Sequence, residues 1–139
     1  MKYHAIIASL LIVFSLNTAK AGCREFREIS SQANTVSRDL FDLRFEVRTS
    51  FPNSWSLYDF IQRAELDASF LNRTSRSGAM PCWQTKATFS RLESSVQVLR
   101  NYFRGFSRRR DVSRVEYEWR RFIDSYRRLE AIISRARED

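Results

Sequence analysis

FREISSQANTVSRDLFDLRFEV, residues 26–47, decides the fold. Phe26, Ile29, Ala33, Val36, Leu40, Leu43 and Val47 recur at alternating steps of three and four without a break. That is the rhythm of a helix with one buried seam. Three later stretches repeat it. The second runs Leu57, Ile61, Ala64, Ala68, Leu71. The third runs Thr85, Phe89, Leu92, Val96, Leu99, Phe103, Phe106, and the fourth Val112, Val115, Trp119, Phe122, Tyr126, Leu129, Ile133, Ala136. No charged residue falls on any of these seams.

The breaks carry helix punctuation. Phe51-Pro52-Asn53 closes the first helix, and Ser54 or Ser56 (with Asp59 three residues on) caps the second. Gly78 offers a left-handed stop, and Pro81 suits the first position of the third helix. Gly105 ends the third, and Ser113 with Glu116 forms a capping box for the fourth, with Asp111 as an alternative, earlier start. The spacing therefore predicts helices over about 24–50, 54–76, 81–104 and 111–137, with no strand. Similar lengths and short connections predict an all-α, up-down-up-down four-helix bundle with heptad-like seams, occupying residues 22–139. A three-helix core with a loose fourth segment, or a helical hairpin that dimerises, are the competing arrangements.

The first 21 residues have the parts of a secretory signal peptide. Lys2 supplies positive charge, Ala5 to Leu16 is apolar, and Ala19-Lys20-Ala21 is a small-x-small cleavage site. An apolar run of twelve residues falls short of the roughly 20 that span a bilayer. The expectation is export, to the periplasm if bacterial and otherwise by secretion. Ala21-Gly22-Cys23 also resembles the end of a lipobox, against which Lys20 stands in a position that wants an apolar residue. The expected mature chain keeps 22 of the 24 basic residues, losing Lys2 and Lys20, against 16 acidic ones, a net charge of +6. All of the basic residues kept are arginine except Lys86. Such a balance favours anionic partners such as membrane headgroups, polyanions or acidic proteins.

Cys23 and Cys82 are an even pair, expected as one disulfide in an oxidising compartment. Each stands at the start of a helix, and the starts of the first and third helices share one end of the expected bundle. The two helices are diagonal there, so their ends must converge for the bond to close.

The only histidine, His4, lies in the signal segment. The expected mature chain therefore has no histidine-based acid–base or nucleophile system and no histidine-bound metal or haem. No cofactor and no catalysis are expected. Carboxylate pairs remain (Asp39 with Asp42, Glu65 with Asp67, Glu116 with Glu118), all off the seams and expected on solvated faces. A carboxylate-dependent hydrolase is thus the weakest reading.

Two surfaces hold more interest. Arg100, Arg104, Arg108, Arg109, Arg110 and Arg114 crowd the turn between helices three and four, opposed there only by Asp111. They form a candidate anion-binding tip, which Arg44 and Arg48 approach from helix one. Phe41, Phe45, Phe60 and Phe70 lie outside the seams and offer an alternative surface for oligomerisation or for a client protein. Trp55 and Trp83 are expected to cover the two bundle ends. The sequence reading is an exported, non-enzymatic binding protein that holds an anionic partner at its tip.

Overall fold

The computed structural model describes residues 22–105 and 113–138. Within them lie four helices, α1 (Phe26–Ser50), α2 (Trp55–Ser75), α3 (Cys82–Phe103) and α4 (Ser113–Arg135). The signal segment, Phe106, Arg108, Arg109, Arg110, Asp111 and Val112 lie outside the described residues. Where they are described, the helix ends fall within two residues of the expected ones.

Side-chain pairs give the direction of each helix. Ser30 Oγ, early in α1, lies 2.8 Å from Asn72 Oδ1, late in α2. Ser95 of α3 donates to Asp67 of α2 at 2.8 Å, and Phe60 meets Tyr102 near the other end. Gln32 donates to the Ser125 carbonyl at 2.9 Å and Asp39, further along α1, pairs with Arg121, earlier in α4, so α4 runs antiparallel to α1. The chain thus runs up, down, up, down, with α1 packed between α2 and α4 and α2 packed between α1 and α3.

The seams form the core. Ile29, Ala33, Val36, Leu40, Leu43 and Val47 are buried, as are Leu57, Ile61, Ala64, Ala68 and Leu71. So are Phe89, Leu92, Val96, Leu99 and Phe103, with Val115, Phe122, Tyr126, Leu129, Ile133 and Ala136 opposite. Trp119 is half-buried against this core. Side-chain size sets the spacing between helices. Ala33, Ala64 and Ala68 are small, fully buried seam positions on α1 and α2, the two helices that pack most extensively against each other. Between α3 and α4 the rings themselves fill the gap: Phe103 stacks on Trp119 at 4.2 Å and Phe89 on Tyr126 at 5.8 Å. Stacked rings at such centroid distances add to what their area burial contributes.

The helix caps are weaker than the sequence suggests. Ser54 stands at the N-cap of α2, but its hydroxyl makes no capping bond, and Ser56 lies inside the helix. Pro81 is the N-cap of α3, one position before the expected one. Gly78 does end the turn after α2 in the left-handed region, at φ +69°. Its missing side chain also matters, because a Cβ there would press to 3.1 Å from the Phe26 ring.

At the base, residues before α1 run as a short extended segment across the bundle. Gly22 pairs with Pro81 and Cys23 with Glu138, and the Arg24 amide donates to the Arg137 carbonyl at 2.9 Å. A Cβ on Gly22 would fall 2.0 Å from the Gly78 carbonyl oxygen, so no side chain fits there. This crossing answers how diagonal helices converge: Cys23 reaches Cys82 from an extended segment, and the two form a disulfide with Cα atoms 4.5 Å apart.

Candidate functional site

The tip arginines that fall within the described residues do not act alike. Arg100, in the last turn of α3, is half-buried and leans over the Tyr126 ring, 5.5 Å from its centroid. Arg104 and Arg114 are exposed, and neither has a carboxylate partner among the described residues. Arg108, Arg109 and Arg110 lie outside the described residues.

The carboxylate pairs are held in ion pairs and hydrogen bonds, several of them less solvated than their spacing suggests. Asp39 is buried and receives Arg121 Nε at 3.3 Å. Arg121 Nη1 lies 3.6 Å from Asp42 and 3.9 Å from Glu118, so one guanidinium joins α1 to α4. The expectation of a solvated face therefore fails at Asp39, because its partner comes from a distant helix rather than from its own. Burial raises the Glu118 carboxyl pKa above the ordinary range; Arg121 works against this, and Asp42, Glu46 and Asp39 add to it. Glu116 is occupied by Arg120 at 2.5 Å, and Asp67 by the Ser95 hydroxyl. Glu65 is mostly buried and takes Arg44 at 2.7 Å. Among the described residues no group of three or more histidine, cysteine, aspartate and glutamate side chains is placed to hold a metal ion. No helix among them is long and apolar enough to cross a membrane.

The α1–α2 face carries a different arrangement. Phe41 and Phe45 stand one turn apart on α1, 52% and 62% exposed. The Arg44 guanidinium lies 5.2 Å from the Phe41 centroid and 5.4 Å from that of Tyr58 on α2, and Nη1 donates to the Tyr58 hydroxyl at 2.9 Å. Arg48, one turn on, lies 5.9 Å from the same Tyr58 ring. Trp55 meets Tyr58 edge to face at 6.4 Å and is 68% exposed. A ladder of contacts therefore runs from Phe41 through Arg44 to Tyr58 and on to Trp55, with Arg48 also over the Tyr58 ring. It ends in a pocket of about 200 Å³ lined by Arg48, Phe51, Pro52, Ser54, Trp55 and Tyr58. The turn creates this pocket: Pro52 and Asn53 reverse the chain, and aromatic residues before and after them meet.

Two expectations change here. Trp55 does not cover the bundle end but stands out from it, and Trp83 at the base is likewise 66% exposed. Phe60 does not share an exposed face with Phe70. It packs against the core, its ring 5.4 Å from Tyr102, while Phe70 is exposed. The base has a shallower opening of about 370 Å³, lined by Cys82, Trp83, Lys86, Ala136, Arg137 and Glu138. Arg44 and Arg48, expected to approach the tip, instead lie over Tyr58 in the ladder, a role their spacing does not reveal. The available signal was the i, i+4 pair Phe41–Phe45 beside aromatic residues on both sides of a Pro-Asn turn. No family model, curated protein or solved structure matches the chain.

Proposed function

We propose that this chain is an exported, non-catalytic binding module that engages a protein partner through the α1–α2 aromatic face. The observation that carries the reading is one face on which exposed Phe41 and Trp55 are linked through Arg44 and Tyr58, with exposed Phe45 one turn along α1 from Phe41 and a pocket at the Trp55 end. A rim of aromatic residues and arginine is the composition that protein–protein contacts enrich and that supplies their strongest anchors. The fold has no need of these rings in its own core, whose seams are complete without them. Export is supported by the Cys23–Cys82 disulfide, since such bonds form and persist in oxidising compartments.

A second reading rests on Arg104 and Arg114, exposed and without carboxylate partners among the described residues: an anionic partner held at the tip. Exposed charges are screened beyond about 10 Å at 0.1 M salt, so binding there weakens steeply as salt rises.

Photo-crosslinking side chains placed at Phe45, Trp55 and Arg104, in protein exported by its native host, separate the two. A discrete protein adduct from Phe45 and Trp55 supports the aromatic face. Adducts from Arg104 alone would move the function to the tip.

A further inference from the structure

We infer that the α1–α2 face takes an acidic amphipathic segment of its protein partner. One apolar side chain enters the Trp55–Tyr58 pocket, and a neighbouring carboxylate pairs with Arg48. The inference rests on the protein-binding reading above and adds the chemistry of the occupant.

Size and charge point the same way. Pockets that bury small-molecule ligands run to about 300–1,000 Å³. This one, at about 200 Å³, has room for a single large side chain, and its walls are the rings of Phe51, Trp55 and Tyr58 with Pro52. The two arginines of the ladder differ in their charge balance. Glu65 neutralises Arg44, with Nε at 2.7 Å from one carboxylate oxygen and Nη2 at 3.3 Å from the other. Arg48 is exposed, lies over the Tyr58 ring, and has no carboxylate partner among the described residues. A guanidinium held near a ring by its charge spends no N–H donor on that contact and keeps its donors for a carboxylate. Ring surfaces beside such a pair exclude water and strengthen it relative to a pair on an open surface.

The start of α2 agrees. Ser54 lines the pocket, its hydroxyl caps nothing, and the first turn of α2 carries no acidic residue. Among the described residues, then, neither a cap hydroxyl nor a first-turn carboxylate offsets the amide groups and positive dipole end of α2, which favours an incoming negative charge. Phe41 and Phe45 continue the apolar surface down α1, where a second apolar side chain of the partner lies one or two turns from the first. Anchors at that spacing are how an amphipathic helix occupies a groove.

The test is selection of a displayed random-peptide library on the disulfide-bonded protein and on two surface variants, Trp55→Ser and Arg48→Glu. The folding of both variants is checked by circular dichroism. The parent is expected to enrich peptides that pair an aromatic residue or leucine with aspartate or glutamate. Trp55→Ser should weaken the selected peptides tenfold or more. Arg48→Glu should weaken them similarly and, when panned afresh, select lysine- or arginine-bearing peptides. If the parent enriches neutral or basic peptides that Trp55→Ser rejects and Arg48→Glu retains, the protein-binding face stands and the acidic partner is overturned. If no peptide depends on Trp55, both fall. Sedimentation with phosphatidylglycerol vesicles that is lost in Trp55→Ser would also overturn the proposal, assigning the face to a lipid surface.

Discussion

At the scale of single residues, Arg121 carries more than its share. Asp39, Asp42 and Glu118 all look to this one guanidinium. Glu118 is mostly buried, and its carboxyl pKa is raised chiefly by that burial. An acid with a raised folded-state pKa destabilises the fold when ionised. Above that pKa both folded and unfolded chains are charged, and the folded one bears the cost. As pH falls through the raised value the folded chain takes its proton first, and below the unfolded value the cost has vanished. Glu118→Gln is therefore expected to melt higher than the parent at pH 7, with the two melting temperatures converging as the pH approaches 4. An unchanged gap across that range would assign the effect to packing instead of charge.

At the scale of helices, the α2 seam is built partly from small side chains with no room to spare. Ala64 and Ala68 are fully buried on α2, which packs most extensively against α1. Ala64→Leu should cost about 1–3 kcal/mol by overpacking, read as a lower urea midpoint with helical circular dichroism retained. The seams that place these alanines were legible in the sequence because burial repeats with the period of the helix. Ile29, Leu40, Leu99 and Leu129 all lie where the period puts them. Asp39 was not legible, because its burial depends on Arg121, which arrives from α4 and leaves no local trace. The aromatic ladder was half legible. Phe41 and Phe45 stand off the seam in plain view, but only the antiparallel pairing of α1 with α2 brings Arg44 and Arg48 over Tyr58. Ser54 shows the limit of cap rules, which name the right residue while its hydroxyl goes unused.

For the whole molecule, the disulfide closes a loop between residues 59 apart in sequence, and on the chain-entropy model this stabilises the fold by about 4 kcal/mol. Cys23→Ser with Cys82→Ser should lower the urea midpoint by roughly 2 M, taking a slope of about 2 kcal/mol/M for a chain of this size. A shift much smaller than that would mean the base is held by its backbone pairing. That pairing has a consequence for attachment. The first and last described residues meet at the base, Cys23 against Glu138 and Arg24 against Arg137. The α1–α2 turn with its pocket stands at the other end of α1, a helix of 25 residues and so about 37 Å long. A fluorophore, resin or fusion domain coupled beside Cys23 or Glu138 therefore leaves the molecule from its foot. A sensor chip loaded through that base would present Trp55 and Arg48 outward, so measurements on protein immobilised there should match those made in solution.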